Sequence, residues 1–266
     1  LKIAEWLKEA GLPDGVFNVI NGDREAVDAL IDDPRVSALS FVGSSDIAES
    51  IYARGASNGK RVQAMGGDKN HMVVMPDADL EAAANALLGA AYGSAGDRCM
   101  AISVVVPVGD DTAERLLEVL VPKIEAICVG PSLEPGMDYG PLVSEIHLER
   151  VRNFIESGLK DGAELRVDGR EHRVDGHERG FYLGPCLFDR VTRDMEIYRE
   201  EIFGPVLSMI RANSFEEAID LPSTHQYGNG VAIFTRNGAA AREFVSQVDT
   251  GMVGINVPLP VPMSYY

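Results

Sequence analysis

The stretch Val36-Ser37-Ala38-Leu39-Ser40-Phe41-Val42-Gly43-Ser44-Ser45 predicts the fold class. Its apolar and small residues predict a β-strand, and the glycine and serines that follow predict a tight turn into a helix. We expect that helix to cover about residues 46–54 and to end at Gly55. Upstream, residues 17–20 predict a shorter strand, and Asp23 is the expected N-cap of another helix. Strand, helix, strand, turn and helix in this order are typical of a parallel α/β sheet.

The composition restricts the classes of function. The chain has 266 residues, of which 45% are hydrophobic, so it can bury the core of one large domain or of two modest ones. Its net charge of −17 argues against nucleic-acid binding, which needs a basic face, and against adhesion to anionic membranes. No apolar run approaches the roughly 18 residues of a membrane-spanning helix.

Cys99, Cys128 and Cys186 lie far apart in the sequence and form no Cys-x-x-Cys pair. This spacing fits neither a disulfide framework nor a zinc site, and it favours a reducing, cytoplasmic compartment. We expect Cys128 and Cys186 to fill the core. The chain opens in the middle of a helical pattern and stops shortly after the proline-rich segment 257–262, so we expect residues to be missing at both ends.

The alternation of strands and helices continues along the rest of the chain. Strands are predicted near residues 62–65, 71–75, 102–108, 187–191, 206–210 and 231–235. Helices are predicted near residues 1–10, 80–92, 112–127, 144–159, 215–221 and 239–248. Residues 161–180 are rich in glycine and charge, and we expect exposed hairpins there. The glycine pair at 66–67 is the best position for a domain boundary.

A glycine-rich loop, Gly93-Ser94-Ala95-Gly96-Asp97-Arg98-Cys99-Met100, leads into the apolar run 101–106. Glycines and small residues allow a tight turn and a close approach of the backbone to a ligand. Cys99 lies where the loop becomes a strand, which is a frequent place for functional side chains. By itself this cysteine has two readings, a buried structural residue or a reactive thiol.

Four motifs, in the same order along the chain, resemble those of the aldehyde dehydrogenase superfamily. They are Phe41-Val42-Gly43-Ser44, Gly67-Asp68-Lys69, Glu200-Glu201-Ile202-Phe203-Gly204-Pro205-Val206 and Tyr227-Gly228-Asn229-Gly230-Val231-Ala232-Ile233-Phe234-Thr235. Further stretches are similar to the subgroup that acts on malonate or methylmalonate semialdehyde. These are Lys69-Asn70-His71, residues 73–78, Arg98-Cys99-Met100-Ala101 and residues 254–258. The resemblance covers essentially the whole chain and implies a Rossmann-like parallel sheet joined to an α/β catalytic domain.

The resemblance also implies roles for individual residues. Cys99 would be the nucleophile that forms a thioester with the aldehyde carbon. The implied NAD-binding residues are Gly43 and Ser44 at the pyrophosphate, Gly66 at the nicotinamide amide, Glu201 at the nicotinamide ribose and Phe203 near the nicotinamide ring. Arg98 has two readings, a guanidinium that binds the substrate carboxylate or a surface ion pair with Asp97. His71 is expected to be structural, and no metal is implied.

Position 65 departs from most members of the superfamily. Most hydrolytic members place a glutamate four residues before the turn lysine, which is Lys69 here, and this chain has Met65 instead. A thioether cannot accept a proton at neutral pH, so water is a poor acyl acceptor. The resemblance therefore implies NAD-dependent, coenzyme A-acylating oxidation, with decarboxylation, of malonate or methylmalonate semialdehyde to acetyl-CoA or propionyl-CoA. The alternatives are an ordinary acid-forming aldehyde dehydrogenase and a truncated, non-catalytic relative.

Domain bounds follow from the same resemblance. Residues 1–66 would be the later part of an NAD-binding domain, 67–256 a catalytic domain, and 257–266 the start of a C-terminal return segment. Cys99 is expected on a loop where the two domains meet. The family's adenosine-ribose lysine segment and its oxyanion asparagine would precede Leu1. For the complete protein we expect a small aldehyde as substrate and a homodimer or homotetramer.

Overall fold

The computed structural model describes residues 1–258, and these form two compact units. The first unit is Leu1–Gly67, and the second begins at Asp68. Each contains parallel strands connected through helices, which confirms the predicted α/β fold class. Of the predicted return segment at 257–266, everything after Pro258 lies outside the described residues.

The first unit contains a two-stranded parallel sheet. Its elements are α1 (Lys2–Glu9), α2 (Arg24–Asp32), β1 (Ala38–Val42), α3 (Ser45–Ser57) and β2 (Arg61–Met65). Asp23 caps α2 as predicted, because its side chain accepts a hydrogen bond from the Glu25 N–H. Val42 pairs with Met65, so β1 and β2 end at the same edge of the sheet. The turns that begin at Gly43 and Gly66 therefore leave the sheet side by side.

Two predictions for this unit are wrong. Residues 17–20 form no strand, and Phe17 is exposed, because an apolar run needs a neighbouring strand to complete its hydrogen bonds and none of the described residues provides one there. Gly55 does not end α3 but lies inside it, buried against the sheet. A Cβ at Gly55 would come within 2.7 Å of Val62 and 2.9 Å of Leu39, so the missing side chain lets the helix pack closely.

The second unit is built on a seven-stranded sheet of order β5-β6-β7-β4-β3-β8-β9. Its strands are β3 (Asn70–Val74), β4 (Ile102–Pro107), β5 (Glu164–Val167), β6 (Cys186–Asp189), β7 (Val206–Met209), β8 (Gly230–Phe234) and β9 (Met252–Ile255). Its helices are α4 (Leu80–Leu87), α5 (Asp110–Glu125), α6 (Glu145–Lys160), α7 (Glu196–Arg199), α8 (Phe215–Ser223) and α9 (Gly238–Gln247). Every residue of β3 and β8 is buried, as expected for central parallel strands that are covered on both faces.

Local signals in the sequence set the starts of several helices. Ser144 caps α6 as predicted, since its hydroxyl accepts a hydrogen bond from the His147 N–H at 3.3 Å.

His71 is structural as predicted: it is buried, and its ring nitrogens contact the Lys69 carbonyl at 2.7 Å and the Tyr198 hydroxyl at 3.1 Å.

Two further predictions for the second unit are wrong. Residues 161–180 form no separate hairpins, because β5 pairs antiparallel with β6 and the chain between them stays irregular. Cys186 is buried as expected, but Cys128 is exposed, since it lies in the connection after α5 rather than on a strand of the sheet.

Candidate active site

The chain reaches Cys99 through two irregular helical turns. A regular helix was predicted as far as residue 92, but α4 gives way to a π-helical turn over Leu88–Tyr92 and a 3₁₀ turn over Gly93–Gly96. Ser94 and Ala95 have left-handed φ angles of 56° and 57°. Such a conformation costs about 1–3 kcal/mol per residue and persists only where surrounding contacts hold it. The loop before Cys99 is therefore held in place by its neighbours.

Cys99 combines an accessible thiol with a fixed backbone. Its side chain is exposed, whereas its carbonyl oxygen accepts hydrogen bonds from the Asn70 amide at 2.9 Å and the Asn229 amide at 2.8 Å. Its backbone N–H donates to no group within residues 1–258. A nucleophilic thiol and a free N–H on one residue are what thioester chemistry through an oxyanion needs.

Asn70 links the Cys99 loop to the centre of the sheet. This fully buried residue begins β3, which lies between β4 and β8. Besides Cys99, its amide nitrogen donates to the Ala101 carbonyl at 2.9 Å and to Asp68 Oδ1 at 2.7 Å. Its side-chain oxygen accepts the Gly230 N–H at 2.9 Å. One side chain thus joins the segments on either side of β3.

We expect Asn70→Ala to lower the free energy of unfolding by about 3 kcal/mol, because each buried polar partner left unpaired costs about 1–3 kcal/mol. The same substitution should slow the alkylation of Cys99 or make it heterogeneous. Asn229→Gly is the matched control, since glycine tolerates the φ of 89° at this half-buried position and only one hydrogen bond is lost. Urea unfolding of the two variants, with thiol alkylation rates, checks this; equal losses of stability would contradict the role of Asn70.

The Cys99 loop packs directly on the segment that contains Glu201. Gly96 has a φ of +73°, and a Cβ there would lie 2.2 Å from the Gly204 carbonyl oxygen. Phe203, beside Gly204, also has a left-handed φ, of 57°. Only glycine at position 96 therefore permits this approach of two loop backbones.

His147 bridges the same two loops from α6. Its Nε2 lies 2.6 Å from the Phe203 carbonyl oxygen and 3.3 Å from Asp97 Oδ1. Both oxygens are acceptors, so Nε2 carries the hydrogen. The hydrogen bond with Asp97 raises the pKa of His147 above its usual value. Asp97 therefore pairs with His147, and among the described residues it forms no ion pair with Arg98.

A buried lysine fixes the backbone that precedes Glu201. Lys69 is 2% exposed, and its Nζ donates to the carbonyl oxygens of Ile197 at 2.8 Å and Glu200 at 2.6 Å. Burial lowers the pKa of Lys69 to about 7, although the nearby Glu201 and Asp68 carboxylates oppose this shift. The lysine of the glycine-rich turn is thus a structural anchor for the Glu201 segment.

The Arg98 guanidinium binds backbone carbonyls of the π-helical turn Leu88–Tyr92. Its Nη2 donates to the carbonyl oxygens of Gly89 at 2.7 Å and Ala90 at 3.2 Å. Its Nε is buried and has no hydrogen-bond partner among residues 1–258. Arg98 also lines a small cavity of about 20 Å³ together with Glu201 and Phe203. The structure thus brings together three of the predicted site residues, and the Nε–H of Arg98 has no hydrogen-bond partner among the described residues.

The other predicted cofactor residues lie in the first unit. Gly43 follows β1, and Ser44 is the exposed N-cap residue of α3, with a side chain that makes no capping hydrogen bond. A Cβ at Gly66 would lie 2.5 Å from the Ser45 hydroxyl, which accepts the Gly67 N–H at 3.1 Å. An exposed serine at the start of a 13-residue helix suits an anionic group.

Sequence reasoning missed four residues around Cys99 and Glu201. They are Asp68, Asn70, His147 and Asn229. Asn229 had a detectable signal, because an asparagine between two glycines favours a left-handed turn. Asn70 and Asp68 lay inside quoted motifs but were given no role, and nothing in the sequence around His147 points to Asp97, 50 residues away.

Comparison with known proteins gives the class of this chain. The model of the aldehyde dehydrogenase family matches residues 1–265, and the chain belongs to that family. It is 59% identical, over its whole length, to malonate-semialdehyde dehydrogenase of Pseudomonas aeruginosa. It is 50% identical, over 96% of its length, to the mitochondrial, acylating methylmalonate-semialdehyde dehydrogenase of Arabidopsis thaliana. The chain spans 54% and 42% of those two proteins.

Solved structures agree with this grouping. Methylmalonate-semialdehyde dehydrogenase of Oceanimonas doudoroffii superimposes with a TM-score of 0.97 at 54% identity, over 100% of this chain and 54% of its own. A protein of Sinorhizobium meliloti assigned to the same activity, and solved with NAD, gives 0.97 at 57% identity over 99% of this chain and 54% of its own. Both structures belong to the semialdehyde subgroup that the sequence motifs resemble.

Residues 1–258 contain neither a candidate membrane span nor a candidate metal site. Within them, no helix has the length and apolar character needed to cross a membrane. Nor do three or more His, Cys, Asp or Glu side chains of this part of the chain gather into a group that could hold a metal ion.

Proposed function

We propose that the complete protein is an NAD-dependent, coenzyme A-acylating dehydrogenase of malonate or methylmalonate semialdehyde. The observation that carries the proposal is an exposed Cys99 thiol on a loop that hydrogen bonds fix in place. The named activities of the relatives support the substrate class, and the word "acylating" in one of those names supports coenzyme A as acceptor.

The first chemical step needs only Cys99 and the aldehyde. Ionisation of the thiol releases a proton, and the thiolate attacks the aldehyde carbon to form a C–S bond. The carbonyl oxygen becomes an oxyanion, and the unpaired Cys99 N–H is our candidate donor for it. NAD, when bound, supplies the hydride acceptor. Loss of hydride leaves a thioester on Cys99.

The second half of the reaction removes the carboxylate and frees the enzyme. The β-carboxylate of the malonyl thioester leaves as carbon dioxide, and the resulting enolate takes up one proton to become an acetyl group. Cys99 then passes this group to the thiol of coenzyme A and is regenerated. The balance is malonate semialdehyde, NAD⁺ and coenzyme A to acetyl-CoA, carbon dioxide and NADH; the methylated substrate gives propionyl-CoA.

Arg98 is the proposed contact for the substrate carboxylate. Its free Nε–H supports this role, whereas its two hydrogen bonds to helix carbonyls show that part of the guanidinium is already engaged. A cavity of about 20 Å³ holds little more than one water molecule, so the cavity beside Arg98 does not itself hold the substrate.

The cofactor roles of Gly43, Ser44, Gly66, Glu201 and Phe203 remain proposals from the resemblance. Two features of the structure support these proposals. Ser44 lies at a helix start, and its hydroxyl makes no capping hydrogen bond. In Glu201, the carboxylate oxygen that accepts the Asp68 N–H is Oε1, at 3.0 Å. A cytoplasmic location and a homodimer or homotetramer are likewise proposed for the complete protein.

Product analysis tests the function. The complete protein should convert malonate semialdehyde, NAD and coenzyme A to acetyl-CoA and carbon dioxide, and the methylated substrate to propionyl-CoA, as measured by mass spectrometry. Free malonate as the product would favour the alternative, an acid-forming aldehyde dehydrogenase. No NADH with any aldehyde would favour a non-catalytic relative.

Glu201→Gln should slow hydride transfer while leaving the alkylation of the Cys99 thiol largely unchanged, because the amide weakens the hydrogen bonds that a carboxylate accepts from ribose hydroxyls. A stopped-flow measurement of NADH formation, beside the rate of thiol alkylation, checks both parts. Equal rates of NADH formation in the variant and the parent would remove Glu201 from the cofactor site.

A further inference from the structure

Two carboxyl groups from distant parts of the second unit meet at the candidate site. Asp68 and Glu201 are 133 residues apart, yet the Asp68 N–H donates to Glu201 Oε1 at 3.0 Å. Both residues line the cavity of about 20 Å³. Asp68 Oδ1 accepts the Asn70 amide at 2.7 Å, which orients the Asp68 side chain. The pair is therefore held in place by a backbone bond on one side and by a buried amide on the other.

Burial, together with the neighbouring Glu201 carboxylate, favours the protonated form of Asp68 near neutral pH. Burial is the largest cause that raises the pKa of Asp68, to about 7, and the Glu201 carboxylate is the second. Lys69 and the hydrogen bond from Asn70 act in the opposite direction. Glu200 contributes a further negative charge near Lys69. When two carboxyl groups lie this close, the state in which they share one proton is more stable than the state in which both are ionised.

We propose that Asp68 is a positioning residue for Glu201, and that a proton carried by Asp68 holds the Glu201 carboxylate in the orientation that binds the cofactor ribose. The inference rests on the proposed function, because it takes Glu201 as the ribose contact. A protonated Asp68 donates its O–H to Glu201 and leaves a single negative charge on the pair. An ionised Asp68 repels Glu201, which then turns away.

The direction of the pH effect follows from linkage. If the protonated form of Asp68 binds NAD more tightly, then NAD binding takes up protons around pH 7, and affinity falls as the pH rises through that value. A coupling of about 1–3 kcal/mol corresponds to a fall of about 5-fold to 150-fold. We expect a fall of about 5-fold or more between about pH 6 and 8.5.

The experiment is calorimetric titration of the complete protein with NAD over this pH range, in two buffers of different ionisation enthalpy. The parent protein should take up protons near pH 7 and lose affinity above it. Asp68→Asn keeps an N–H donor but cannot ionise, so its affinity should stay at the low-pH value with less proton uptake. Asp111→Asn is the control: it removes an exposed carboxylate of the same unit and should keep the parent's pH dependence.

The outcomes separate this inference from the proposed function. An unchanged pH dependence in Asp68→Asn would overturn the role of Asp68. If that variant fails to fold, the parent protein still decides the matter, because NAD binding without proton uptake near pH 7 would overturn it as well. Weak NAD binding at every pH in Glu201→Gln supports the ribose role. Normal binding in that variant would instead overturn the assignment of Glu201.

Discussion

Omitting coenzyme A should stop the complete enzyme after about one turnover. With malonate semialdehyde and NAD alone, we expect a burst of NADH equal to the number of Cys99 sites, followed by a rate about 10²–10⁴-fold lower than with coenzyme A. That factor is the usual contribution of a general base, and Met65 cannot act as one. A thiol acceptor is intrinsically more nucleophilic than water and needs less help.

Variants at position 65 test the physical reason. Met65 is half-exposed at the end of β2, so a polar side chain can be accommodated there. Met65→Glu introduces a carboxylate where hydrolytic members have their base, and it should restore part of the turnover in the absence of coenzyme A. Met65→Gln has nearly the same shape without the basicity and should stay stalled. Stopped-flow and steady-state absorbance of NADH measure both phases; full turnover of the parent to free acid would mean that another group activates water.

Cys99→Ser should reduce NADH formation by about 10³-fold or more, since losing a covalent nucleophile removes the whole reaction path rather than one contact. The matched control is Cys128→Ser, because Cys128 is also exposed and lies in a different loop. The control should keep the parent's burst and steady-state rate. A Cys99→Ser protein that still forms NADH at a comparable rate would exclude the thioester path.

Thiol labelling gives an independent measure of the same assignment. The parent chain should alkylate readily at two positions, Cys99 and Cys128, and each single variant at one. Cys186 should stay unlabelled in the folded protein, because it is buried and burial raises the pKa of its thiol to about 12. Protection of Cys99, but not of Cys128, by a bound aldehyde substrate would place the substrate at Cys99.

Most elements of the fold were predictable because their signals are local. Apolar runs placed β3, β4, β7 and β8 to within a residue or two, and side chains such as Ser144 marked helix starts. The failures came where the outcome depends on distant neighbours. Residues 17–20 read as a strand but have no strand beside them in the described chain, and Gly55 stays helical because it packs on Val62.

The sequence by itself determined the family, the α/β class and the glycine-rich loop with Cys99. It also showed that position 65 carries a methionine and not a basic group. These results follow from motif order and residue type, which do not depend on coordinates. Tertiary structure alone decided which side chains meet. The parallel register of β3 between β4 and β8 brings Asn70 to the Cys99 carbonyl. The approach of two loops, 133 residues apart, places Asp68 against Glu201. Such long-range contacts depend on strand order and on backbone approach, and local periodicity carries no information about either.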